Sequence, residues 1–189
     1  MIKETMKNNK LFGLWIYLMS DCIIFAVLFA VYAIISSNFP INLINHKIFN
    51  LSYVFLETFI LLLSSLSSGM LTIQKNKNNI KIIYFYLLLT FFLGLSFLLM
   101  EVNEFYKLIL ENYSPSQHAF FSIFFTIVGL HGIHVFFGLI FILSILYQLF
   151  YLGITDTIRI RILCFSLFWH FLDIIWICVF TFVYLNGVI

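Results

Sequence analysis

The sequence predicts an all-α integral membrane protein, a single bundle of five helices. Three observations carry this. Of 189 residues, 63% are hydrophobic and 10% charged, with a mean hydropathy of +1.08; soluble domains average about 45–50% apolar and about 25% charged. Five apolar runs, about 11–35, 51–73, 81–103, 119–150 and 162–186, are each long enough to cross a hydrocarbon core of about 30 Å. The breaks between them (36–50, 74–81, 104–118 and 151–161) collect lysines, arginines, Pro40 and Pro115, as loops between spans do. The chain reads as one membrane domain over 1–189, without repeats or a linker.

The first run follows Lys3, Lys7 and Lys10. It exceeds the roughly 7–15 residues of a signal-peptide core and no small-residue cleavage site follows, so it reads as a retained span. Ser20 and Asp21 lie inside it, and Trp15 sits where an interfacial anchor belongs. The second run carries Glu57 near its start, then LLLSSLSSGM, in which Ser64/Ser68 and Ser65/Gly69 are four apart. That spacing lets a second helix approach and bond to the hydroxyls. The third holds Gly94 and ends at Glu101 and Glu104, read as a hydrated helix end. The fourth contains GLHGIHV, with His131 and His134 three apart, and exceeds a bilayer's thickness, which implies tilt or projection.

The fifth run contains SLFWHFLDIIWIC, with His170 and Asp173 three apart on one helical face and Trp169 and Trp176 forming a packing ridge. An ionisable pair at this depth is costly unless it faces protein or a water-filled cavity. The segment therefore reads as packed, not as a lone anchor. His46 and His118 fall in loops, and Cys22, Cys164 and Cys178, without CxxC spacing, read as inert thiols. Twenty-five phenylalanines read mainly as lipid-facing filler.

Alternate breaks, counted from the N-terminus, hold Lys3, Lys7, Lys10, Lys75, Lys77, Lys81, Arg159 and Arg161; the other set holds only Lys47 and Lys107. The positive-inside bias then places the N-terminus in the cytoplasm and the C-terminus in the periplasm. With short connections, consecutive spans are expected to be antiparallel neighbours. At about 1.5 Å of rise per residue, His131, His134 and Asp173 fall near mid-span, His170 one turn nearer the cytoplasm, and Glu57 about 8 Å toward the outside. The expected result is an intramembrane polar cluster of Glu57, His131, His134, His170, Asp173 and Asp21, with His134 against Asp173 and Glu57 against His131. Such groups satisfy one another and fix which helices pack, at about 1 kcal/mol per bond. A haem or metal held by the histidines and a proton pathway are the sharper alternatives.

WIYLMSDCIIFAVLFAVYA, LETFILLLSSLSSGM, GLHGIHVFFGLI and ILCFSLFWHFLDIIWICVFTFVYL together resemble subunit III of the haem-copper terminal oxidases, in the quinol-oxidising, cytochrome bo branch. The resemblance covers nearly all of the chain from Leu11 onward. It implies a subunit of the bacterial inner (plasma) membrane with no catalytic centre or cofactor of its own, the haems and copper residing in subunit I. It also implies subunits I, II and IV and membrane phospholipids as partners, and a role in assembly and stability of a proton-pumping ubiquinol oxidase. Nothing in the charge pattern suggests nucleic acid. A haem-b-binding anchor of a quinone-linked oxidoreductase is the alternative, distinguished by a Soret band in the isolated chain. A small proton-coupled transporter is disfavoured by an odd number of spans and by the lack of proline within them.

Overall fold

The computed structural model describes residues 2–37, 51–74, 79–110 and 118–185, with side chains from residue 9 onward in the first helix. Pro40, His46, Lys47, Lys75, Lys77 and Pro115 lie outside the described residues. Five helices follow in order: α1 (Ile2–Ser37), α2 (Leu51–Gln74), α3 (Ile80–Leu110), α4 (Ala119–Leu152) and α5 (Asp156–Val179). A π-helical turn, Phe180–Leu185, continues α5. Among the described residues there is no strand. All five helices are long and apolar enough to cross a membrane.

Three helices run further than the hydropathy alone indicates, α1 because it already begins at Ile2. α3 continues to Leu110, so Glu104 is a helical residue and not part of a loop. α5 starts at Asp156 because Thr155 caps it: the hydroxyl accepts from the Ile158 amide at 3.4 Å, and Asp156 places a negative charge in the first turn. α4 ends immediately before, where Gly153 takes φ +62° and its amide bonds the Leu149 carbonyl at 3.1 Å.

α5 is the central helix. It packs against α1, α2 and α4, and 56% of its most apolar stretch is buried, against 22% for α1. α2 also packs against α3, and α3 against α4. The expectation that consecutive spans are neighbours is overturned at α1, which packs mainly on α4 and α5. The physical reason lies in the matching side chains. Asp21, Phe25 and Tyr32 line one face of α1, and their partners are on α4 and α5.

Trp169 is the keystone of the packing. Its indole is 1% exposed and is pinched between two glycines. A Cβ built on Gly94 of α3 would lie 2.8 Å from the ring, and one on Gly138 of α4 would lie 2.7 Å from it. Small residues allow three helix backbones to close on one large side chain, the usual device of membrane bundles. The phenylalanines divide between surface and core: Phe92, Phe137 and Phe150 face outward, while Phe97, Phe124 and Phe165 are fully buried.

Candidate functional site

The polar residues inside the bundle form three groups. The first joins α2 to α5. The serine ladder on α2 turns its hydroxyls to α5 and α3: Trp169 Nε1 donates to Ser64 Oγ at 2.9 Å, and Ser65 Oγ bonds His170 Nδ1 at 2.9 Å. Ser166 Oγ donates to the Ser68 carbonyl at 3.4 Å, and the Ser67 and Thr90 hydroxyls meet at 2.7 Å. One further contact lies toward the α2 N-terminus, where Trp176 Nε1 donates to Thr58 Oγ1 at 3.1 Å. Asp173 is buried beside Ser65; its Oδ1 has no hydrogen-bond partner among the described residues.

The second group joins α1 to α4. His134 Nδ1 lies 2.7 Å from the Leu130 carbonyl oxygen. A carbonyl only accepts, so Nδ1 carries the hydrogen. That leaves Nε2 to face Asp21 Oδ2, at 3.4 Å. Phe25 packs on the same imidazole with ring centroids 5.7 Å apart. The expected His134–Asp173 contact is therefore replaced by His134–Asp21. Residues three apart on a helix diverge by about 60°, enough to aim His131 into the bundle and His134 at α1.

The third group is a set of carboxyl groups toward the α2 N-terminus and the α3 C-terminus. Glu57, Glu101 and Glu104 are 0%, 2% and 8% exposed, and they lie close enough to interact electrostatically. This overturns the reading of Glu101 and Glu104 as a hydrated helix end. The extra turns of α3 carry them into the protein, and Lys107, stacked 5.1 Å over the Tyr53 ring, marks the exposed side instead. Tyr184 OH donates to Glu104 Oε2 at 2.8 Å. Glu101 fits against Gly132 of α4, where a Cβ would come within 2.8 Å of its carboxylate. His131 is fully buried between Trp176 (5.1 Å between centroids) and Phe97 (5.9 Å, edge-on). The expected Glu57–His131 bond is not formed. Neither side chain has a hydrogen-bond partner among the described residues.

So Asp21, His134, His170 and Asp173 each meet a polar or ring neighbour on another helix, but as separate pairs and not as one cluster. The histidines face different surroundings, and among the described residues no three His, Cys, Asp or Glu side chains converge as a metal site would require. Tyr184 and Thr58 escaped the sequence reading. Tyr184 reaches the carboxyl groups because the π-helical turn displaces it from a regular α-helical register, and Tyr32 OH donates to the Val183 carbonyl in that turn, at 3.1 Å. No local pattern announced that turn.

Comparison with known proteins finds relatives along the whole chain. The family model of cytochrome c oxidase subunit III matches residues 3–188. A protein of Buchnera aphidicola subsp. Schizaphis graminum called cytochrome bo(3) ubiquinol oxidase subunit 3 is 96% identical over the whole of both chains. The Pseudomonas aeruginosa protein of the same name is 47% identical over 95% of this chain and 86% of its own. The quinol oxidase subunit 3 of Bacillus subtilis is 36% identical over 97% and 90%. These names belong to oxidase third subunits and lend no support to a haem-b anchor.

Proposed function

The chain belongs to the cytochrome c oxidase subunit III family, and from that premise we propose that it is the third subunit of a proton-pumping haem-copper ubiquinol oxidase of the bacterial inner membrane, and that it holds no redox centre itself. The full-length match to quinol oxidase third subunits carries this reading. The side-chain geometry supports it: the intramembrane histidines and most of the acids are engaged with neighbouring helices, an arrangement that fixes helix packing. Haems and copper belong to subunit I; subunits I, II and IV and membrane phospholipids are the partners. The positive-inside bias supports a cytoplasmic N-terminus.

In this role Ser64, Ser65 and Thr58 on α2 anchor α5 through Trp169, His170 and Trp176. The Asp21–His134 contact holds α1 to α4. The bundle thereby presents a fixed surface to the subunits that carry electrons and protons.

Purification of the tagged chain in mild detergent tests the reading. The other oxidase subunits should co-purify, and the separately purified chain should show no Soret band. A haem spectrum in the isolated chain would overturn it. Asp173→Leu should lower the yield of intact oxidase while the spectrum of the surviving complex stays unchanged; altered haem bands in assembled material would count against the structural role.

A further inference from the structure

We propose that the α5 surface around His170, flanked by α2, is where this chain docks on a transmembrane helix of the haem-bearing subunit, and that His170 Nε2 makes a hydrogen bond across that contact. The inference rests on the reading above that such a subunit is the partner, and it assigns the face.

His170 and His134 are the partly buried members of the intramembrane ionisable set, and they differ in what Nε2 meets, since His134 Nε2 faces Asp21 at 3.4 Å. Asp21, Glu57, Glu101, His131 and Asp173 are buried inside the bundle, whereas His170 is only partly buried. It lies on the arc of α5 that carries Ile174 (61% exposed) and Ile177 (42% exposed). The ring reaches toward α2, where a Cβ on Gly69 would sit 3.8 Å from Cε1 and Nε2. Leu62 and Leu66, exposed on α2, stand three residues before Ser65 and Gly69 respectively and so lie about one turn from them on the helix surface.

One ring nitrogen is already used, since Nδ1 bonds Ser65 Oγ at 2.9 Å. Nε2 makes no hydrogen bond to the described residues and is not among their enclosed polar atoms. It therefore lies at the bundle surface, partly exposed beside Gly69.

Depth turns this into an argument about the partner. Ser65 is nine residues before Gln74, the end of α2, which is about 14 Å at 1.5 Å per residue. Such a depth is near the middle of a hydrocarbon core about 30 Å thick. Acyl chains offer no hydrogen bond there, and a polar atom left in hydrocarbon costs several kcal/mol. The occupant that removes this cost is a protein helix presenting a polar side chain or a carbonyl. The neighbouring aliphatic side chains and Gly69 let such a helix approach closely.

Two measurements test the docking face. A diazirine-bearing residue placed at Leu66 or at Ile174 should crosslink to the haem-bearing subunit in membranes. The same probe at Phe137, exposed on α4, should not. Adducts with lipid only, with a second copy of this chain, or from position 137 in place of 66 and 174, would overturn the inference. The second measurement separates the two ring nitrogens. His170→Gln keeps a polar group at the outward position, and His170→Asn keeps one at the Ser65 position. Recovery of intact oxidase should stay within about twofold for His170→Gln. It should fall about fivefold or more for His170→Asn, as the loss of one intramembrane bond of about 1 kcal/mol implies. The reverse order would show that His170 acts only through Ser65. If no oxidase subunit accompanies even the unaltered chain, the proposed function fails, and not merely the assigned face.

Discussion

Along the seam between α2 and α5, polar side chains on α2 are short hydroxyls that meet imidazole or indole partners at 2.9–3.1 Å. In the carboxyl group a few helical turns away, Glu57 and His131 are more deeply buried than His170, yet neither makes a hydrogen bond to a described residue. The two regions share one bundle and one surrounding solvent. They differ in how their polar groups relate to packing. A serine adds little bulk and can always turn its hydroxyl to a helix carbonyl, so a seam of serines packs first and bonds as a consequence. A glutamate inside the bundle must be enclosed by several helices at once. Here α2, α3, α4 and the π-helical turn all contribute to that enclosure. The seam therefore holds helices together, and the carboxyl group is held by them.

The largest perturbation of this difference lies at the seam's centre. Trp169→Ala removes the side chain that Gly94 and Gly138 enclose and that Ser64 bonds. It should cost about 3–5 kcal/mol, the usual range for truncating a fully buried aromatic residue. Thermal unfolding of the detergent-solubilised protein would register the loss. Gly138→Ala should cost about 1–3 kcal/mol through overpacking, since its new methyl meets the indole at 2.7 Å. In the Gly138→Ala, Trp169→Phe double variant the smaller ring should relieve that clash, so the combined loss should fall below the sum of the two single losses. Strict additivity would mean that the indole does not wedge the helices.

The seam was more legible in the sequence than the carboxyl group, for a physical reason. Ser64, Ser65, Ser68 and Gly69 declare a helix–helix contact by spacing alone, because the four-residue period is local to α2. The WHFLDIIW stretch gives the matching face of α5 in the same way. Five spans were legible from hydropathy for a similar reason: each is decided by its own residues. The pairing of His134 with Asp21 was not, because it depends on α1 crossing to α4 and α5 past its sequence neighbour. Nor was the burial of Glu101 and Glu104. Two acids near the end of an apolar run look like a hydrated terminus unless the helix is known to continue and Tyr184 is known to reach them. The relations among the ionisable residues required the three-dimensional arrangement.

A smaller effect sharpens the comparison by altering one hydrogen bond in the seam. Ser64→Ala leaves the Trp169 indole N–H without its hydroxyl partner and should lower stability by about 1 kcal/mol. Tyr184→Phe removes the hydroxyl that donates to Glu104 and should cost a similar amount. If Ser64→Ala were silent in thermal unfolding while Trp169→Ala remained severe, the ring's bulk would account for the whole contribution of that residue.

The smallest expected effect is at Glu57. Glutamine has nearly the same shape and remains polar, and in Glu57→Gln no hydrogen bond to a described residue is lost, since neither carboxylate oxygen makes one. The substitution also removes a group that could repel Glu101 and Glu104. The two considerations point the same way, to a change in unfolding midpoint no larger than that of an ordinary surface substitution, about 0.5 kcal/mol. Glu57→Leu, which also discards polarity, should differ little from Glu57→Gln if enclosure alone fixes this position. A loss above about 1 kcal/mol for Glu57→Gln would place the carboxyl group among the interactions that hold helices together and would erase the distinction from the serine seam.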